Sequence, residues 1–235
     1  SWSTSQVNTA ISGKSASTQP DGNSSKHSTY KHMKGKTTST RTSSRLNTRD
    51  FINIGVFTAL MFVIVFAFGM LGFIPAAMYA GFMLSILVNG IVFALFTART
   101  PKMGALTIML IIIEILFSVT GHWVGGIAVA AVFGLLADLV ITKGPKSVKV
   151  RVPLAYALFI LPIYVSPWMP LFMNQDAYML QIAEQMDADY AAKMAQVVTI
   201  PILLGFFVVM LIGGWIAGLM GTRVARKHFE RAGLV

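Results

Sequence analysis

The chain has 235 residues, of which 55% are hydrophobic and 12% charged, with no cysteine and a formal net charge of +10; its mean hydropathy is +0.68. A soluble domain carries about twice that charged fraction, so the composition excludes a water-soluble globular protein and reads as an integral membrane protein. Without cysteine there are no disulfides, no thiolate metal sites and no cysteine nucleophile.

Residues 1–48 are read as a disordered basic tail. Twenty-one of them are Ser or Thr and Asp21 is the single acid, so apolar side chains are too few to offset the entropy of ordering the chain. The tail lacks the apolar centre of a signal peptide, and "MKGKTTSTR" from Met33 reads as a natural start. Beside a bilayer such a tail sits near anionic lipid.

Residues 49–235 read as one all-α membrane domain, a six-transmembrane-helix bundle. The expected spans are 51–71, 75–97, 103–119, 124–142, 152–172 and 197–220. At 1.5 Å per residue each crosses most or all of a hydrocarbon core of roughly 30 Å. The turns after spans two and four hold Arg99, Lys102, Lys143, Lys146, Lys149 and Arg151, and the end of the chain holds Arg223, Arg226, Lys227 and Arg231. The turns on the other side contain one basic residue, Lys193. Six crossings therefore put 18 of 19 Lys and Arg on one side, with both termini in the cytoplasm (N-in/C-in) of a cell membrane. That distribution also argues against nucleic acid as the partner of the positive charge.

On this topology "SVTGHWVGG", residues 118–126, lies at the outer surface, with Trp123 at the level of an aromatic belt. The outer connection 173–196 is long enough to suggest function, and a short helix over the mouth is expected within it. Inside the spans, small residues recur four apart on three ridges: Gly55 and Ala59; Gly126, Ala130 and Gly134, continued by Asp138; and Gly214 with Gly218. Each ridge suits either internal packing or docking of another membrane protein. Glu114 and Asp138 are costly in a bilayer and need protein partners or neutralisation, and Asn89 needs a partner too. Asp138, one turn from Lys143, is read as a cytoplasmic anchor.

No glycine-rich loop ends in Gly-Lys-Ser/Thr, no paired-histidine zinc pattern occurs, and no Ser, His and Asp spacing supports a triad. The two halves show no inverted repeat. The chain thus reads as a binding subunit that draws energy from elsewhere rather than as an enzyme, and no cofactor is expected.

The motifs "RDFINIGVFTAL", "GFIP", "TGHW", "LLADL" and "KHFERAGLV" occur in order over residues 46–235. In them the chain resembles the Trep_Strep, or MptD-type, family of substrate-binding S components of energy-coupling factor (ECF) transporters, which are ABC transporters. The resemblance implies a six-helix subunit that captures a micronutrient outside and topples in the membrane. Delivery then runs through one T-component membrane subunit and two cytoplasmic ATPases. It also implies that Gly55 and Ala59, small residues four apart on the first helix, face the T subunit. By position, the pocket would draw on His122, Trp123, Trp168, Asn174, Gln175, Asp176 and Tyr178, with Glu114 and Asn89 as its floor. Aromatic residues give area to a planar ligand and polar groups orient it. A lone outer His without Cys argues against a dedicated metal site. Two other readings stay open: a stand-alone carrier or channel coupled to protons through Glu114, and a membrane enzyme with His122 as general base.

Overall fold

In the computed structural model, residues 45–231 are described. The tail read at 1–48, with the start at Met33, therefore lies outside the described residues apart from Arg45 to Thr48.

The first helix, α1 (Thr48–Gly69), begins at a reciprocal cap, where Asn47 accepts from the Asp50 amide and Asp50 accepts from the Asn47 amide. Asp50 also pairs with Lys102 at 2.6 Å, fastening the start of α1 to a later turn. A 3-10 segment, Met70–Phe73, and a second, Pro75–Ala77, lead into α2 (Met78–Arg99). Then come α3 (Ala105–Val119), α4 (Gly126–Lys143) and α5 (Val148–Val165). A 3-10 turn, Ser166–Trp168, joins α5 to the short α6 (Met169–Met173). Two helices, α7 (Gln175–Gln185) and α8 (Ala188–Val197), precede α9 (Ile200–Arg231).

The described residues contain helices and turns only. Helices α1, α2, α4, α5 and α9, four of them followed or preceded by short helical extensions or long in themselves, are long and apolar enough to cross a membrane. The third expected span, α3, is shorter at 15 residues, about 22 Å of rise against a hydrocarbon core of roughly 30 Å. The 173–196 connection holds two helices where one was expected. Asp187 breaks it, accepting from the Tyr190 amide at 2.6 Å as the N-cap of α8. Helix α9 runs a further eleven residues past the expected end at 220, into the basic segment.

Helix α3 packs against α1, α4 and α5, and α9 packs against α2 and α5. The glycine ridges explain how backbones come this close. A Cβ on Gly134 would sit 2.7 Å from Thr107 Cα in α3, so that ridge of α4 is used in internal packing. A Cβ on Gly218 would lie 2.5 Å from Pro153 Cα in α5, and one on Gly90 of α2 would lie 2.6 Å from Ala217 Cβ in α9. The ridge on α1 differs. Gly55 and Ala59 are exposed, and a Cβ on Gly55 would meet nothing within 4 Å.

Asp138 is fully buried at the end of α4. Its carboxylate accepts from the amides of Gly104, Leu106 and Thr107 at 2.9, 3.0 and 3.0 Å and from the Thr107 hydroxyl at 2.6 Å. Those are the free amides at the N-terminus of α3, entered through Gly104 at φ 89°. Asp138 is thus an anchor that caps a neighbouring helix and balances its dipole.

Candidate functional site

A cavity of 420 Å³ opens at the end of the bundle where α1 finishes and α2 begins. Its walls come from α1 and the 3-10 segment after it, the start of α2, the 120–123 turn, the end of α5, and α7 with α8. None of its lining residues carries a formal charge. The wall is aromatic, and the rings contact one another: Phe82 lies edge-on to Tyr164 at 5.6 Å and to Trp168 at 6.4 Å, and Trp168 lies edge-on to Tyr178 at 6.5 Å. Beyond Tyr164 and the indoles of Trp123 and Trp168, polar side chains are few and uncharged: Thr120, His122, Tyr178, Gln181, Gln185 and Tyr190.

Helices α7 and α8 form the cover. Ile182, Ala191 and Met194 pack with Met78, Trp168 and Leu203 in an apolar cluster of their own, apart from the main core. Two tyrosines fasten the cover to the opposite wall. Tyr190 donates from its hydroxyl to the Gly72 carbonyl at 2.7 Å, and Tyr79 donates to the Val197 carbonyl at 2.8 Å. Burial pushes the Tyr178 phenol up to about 12, so it remains a neutral donor.

The turn holding His122 is built by Gly121 at φ 97°, a conformation open to glycine. The imidazole Nδ1 lies 3.2 Å from the Phe117 carbonyl and 3.2 Å from Thr120 Oγ1. A carbonyl only accepts, so Nδ1 carries the proton, and in the neutral ring Nε2 is then a bare acceptor. Packing against the Phe117 ring at 5.1 Å desolvates the imidazole and lowers its pKa, opposed by the bond to the Phe117 carbonyl. His122 is exposed in its turn, but the lowering by desolvation prevails over the opposing bond, so the neutral ring is favoured.

Of the residues read from the sequence, the structure brings His122, Trp123, Trp168 and Tyr178 together on the cavity wall. The other five are not among the lining residues. Asn174 is the N-cap of α7, accepting from the Ala177 amide at 3.0 Å, with Gln175 and Asp176 exposed in the first turn behind it. Asn89 is buried deeper in α2 and donates to the Met61 carbonyl at 3.4 Å. Glu114 is buried between α3, α4 and the 3-10 turn, where the Ser166 hydroxyl donates to Oε2 at 3.2 Å. The Glu114 Oε1 atom has no partner, and a Cβ on Gly126 would collide with Oε2. Gln181 and Gln185 were not read as site residues. Their spacing from Tyr178, three and seven positions, puts all three on one helical face and could have found them. Among the described residues no three His, Asp or Glu side chains gather as a metal site.

At the opposite end of the bundle is a second cavity, of 730 Å³, among the ends of α2 and α9 and the start of α5. It is lined by Lys149, Arg151, Arg223 and Arg226 together with aliphatic side chains.

Residues 48–231 match a family model described as a hypothetical bacterial integral membrane protein, Trep_Strep. No curated protein and no solved structure matches the chain.

Proposed function

We propose, from the premise that the chain belongs to the Trep_Strep family of bacterial integral membrane proteins, that it is the substrate-capturing S component of an ECF transporter. In this reading α3 is a sixth crossing despite its length, both termini are cytoplasmic, and the aromatic cavity opens outward. A small micronutrient enters beneath α7 and α8, and the loaded subunit topples against a T subunit that two ATPases drive. The exposed Gly55 and Ala59 face of α1 is the docking surface for that T subunit.

One observation carries the reading: an aromatic, uncharged cavity at the bundle end away from the basic turns, partly covered by two short helices. Such a lining suits a neutral, largely planar molecule of roughly vitamin size, oriented by Tyr178, the glutamines and the His122 acceptor. It does not suit a phosphate, a carboxylate or a bare metal ion, each of which would need a charge or a ligand set to replace its water. The test is uptake by proteoliposomes holding the chain with and without a T subunit and ATPases. Binding without partners, and uptake only with partners and ATP, is the expected result. Uptake driven by an ion gradient alone would overturn it.

A second reading, a stand-alone proton-coupled carrier, has one observation in its favour: the buried Glu114 carboxyl with an unpartnered oxygen. It predicts partner-free transport that Glu114→Gln abolishes.

A further inference from the structure

The 730 Å³ cavity is separate from the proposed substrate site, since α2 lines one with Met78 and Phe82 and the other with Ala94, Thr97 and Ala98. Basic residues at bundle ends are ordinary, because cytoplasmic turns collect Lys and Arg. Here they are gathered around a concavity. Lys149 and Arg151 come from the first turn of α5, and Arg223 and Arg226 from the last turns of α9. Lys149, Arg151 and Arg223 are in neither the Lys102–Asp50 nor the Lys193–Asp189 ion pair, and none of the three is matched to a carboxylate among the described residues. Arg151 is half-buried, and its Nε is buried with no hydrogen-bond partner. A buried guanidinium nitrogen without an acceptor is costly, which points to an acceptor arriving from outside the chain. Ser147, the N-cap of α5, makes no capping bond, so the helix presents its first amides uncapped beside these cations. The remaining wall is aliphatic: Ile141, Val148, Val152 and Leu219.

We propose that this cavity binds a phosphate-bearing anion, its oxygens held by Arg151, Lys149 and Arg223. The Arg fork matches phosphate geometry, and Lys and Arg near a membrane surface attract anionic lipid. The aliphatic wall and the volume suit a phosphodiester carried on a lipid headgroup. A soluble phosphate shares the recognised chemistry.

The test uses the full chain in a neutral maltoside detergent. Native mass spectrometry measures binding of phosphatidylglycerol and of phosphatidylcholine, and thermal unfolding measures protection by inorganic phosphate. Three proteins are compared: wild type, Lys149→Gln/Arg151→Gln/Arg223→Gln, and Lys143→Gln/Lys146→Gln/Lys227→Gln. The last removes the same number of exposed cations outside the cavity. Wild type should prefer phosphatidylglycerol, the cavity variant should lose about fivefold in affinity per cation removed, and the control should not change. Phosphatidylglycerol binding without protection by inorganic phosphate assigns a lipid source; saturable protection that the cavity variant loses assigns a soluble one. Equal losses in both triple variants, or indifference between the two lipids without protection by inorganic phosphate, would each overturn the proposal. Should the cavity variant misfold, Arg151→Lys keeps the charge, removes Nε, and is expected to weaken phosphatidylglycerol binding severalfold; an unchanged affinity counts against the site.

Discussion

Two glycines that look alike in sequence should respond in opposite ways to a larger side chain. A Cβ on Gly134 would lie 2.7 Å from the Thr107 backbone in α3, so Gly134→Ala must push two helices apart. Overpacking of this kind costs about 1–3 kcal/mol, which for a domain of this size lowers Tm by about 2–4 °C per kcal/mol. Gly55 faces open space, so Gly55→Leu meets no atom of its own bundle. The helix gains up to about 1 kcal/mol in intrinsic propensity, and Tm should hold or rise slightly. On the proposed docking surface, however, a leucine would prevent the close backbone approach that a small-residue ridge permits. Gly55→Leu should therefore cut ATP-driven uptake with partners at least tenfold while ligand binding by the isolated subunit persists. Thermal unfolding in detergent and uptake in proteoliposomes read the two effects separately. Wild-type uptake by a stable Gly55→Leu protein would refute the docking role of α1, and an unchanged Tm in Gly134→Ala would refute the packing argument.

Asp138→Ala strips the N-terminus of α3 of its acceptor and leaves buried amides unpaired, for about 2–5 kcal/mol of destabilisation; Asp138→Asn keeps one oxygen and should cost less. A loss below about 0.5 kcal/mol by chemical unfolding would count against the cap. Because burial lowers the folded pKa of His122, the unfolded chain takes up that proton more readily. The stability owed to the neutral ring is therefore full above its ordinary pKa and is lost as pH falls through it toward the folded value. A Tm profile across that window should flatten in His122→Gln, and parallel profiles would rule the effect out. Tyr190→Phe removes the bond to Gly72 and keeps the ring. Hydrogen exchange in α8 should quicken up to about fivefold, matching roughly 1 kcal/mol, and unchanged exchange would show that the bond does not hold the cover.

Much of the membrane domain was legible because a bilayer imposes a coarse rule: long apolar runs separated by charged turns. The observed α1, α2, α4, α5 and α9 begin within a few residues of the expected spans. What the pattern could not convey was which neighbour each face meets. The ridges at Gly55, Gly134 and Gly218 are equivalent as spacing, and only packing separates the two that are filled from the one that is open. Asp138 could be read as an anchor near a basic turn, but the amides it caps lie 31 to 34 residues earlier. His122, Trp123, Trp168 and Tyr178 were found because aromatic and polar residues at one end of a bundle converge by topology. Glu114 and Asn89 were grouped with them by depth alone, and depth says nothing about which side of a helix a side chain leaves.

The distribution of charge connects these features. The aromatic cavity has no ionised lining, and the carboxylates of its cover, Glu184, Asp187 and Asp189, are exposed. An uncharged interior keeps desolvation costs low when a neutral ligand replaces water. The opposite end gathers cations around a concavity, with Lys149, Arg151 and Arg223 unmatched by carboxylates among the described residues. A subunit that tilts in the bilayer would have to draw those cations away from the headgroup level, at roughly 1 kcal/mol each in an anionic membrane. On the proposed transport cycle the basic end would resist tilting in the isolated subunit, and a partner that turns it would have to supply that energy. If so, ATP-driven uptake by the Lys149→Gln/Arg151→Gln/Arg223→Gln protein should depend less on the phosphatidylglycerol content of the liposome than uptake by wild type. An identical dependence in the two proteins would separate the basic cavity from the transport cycle.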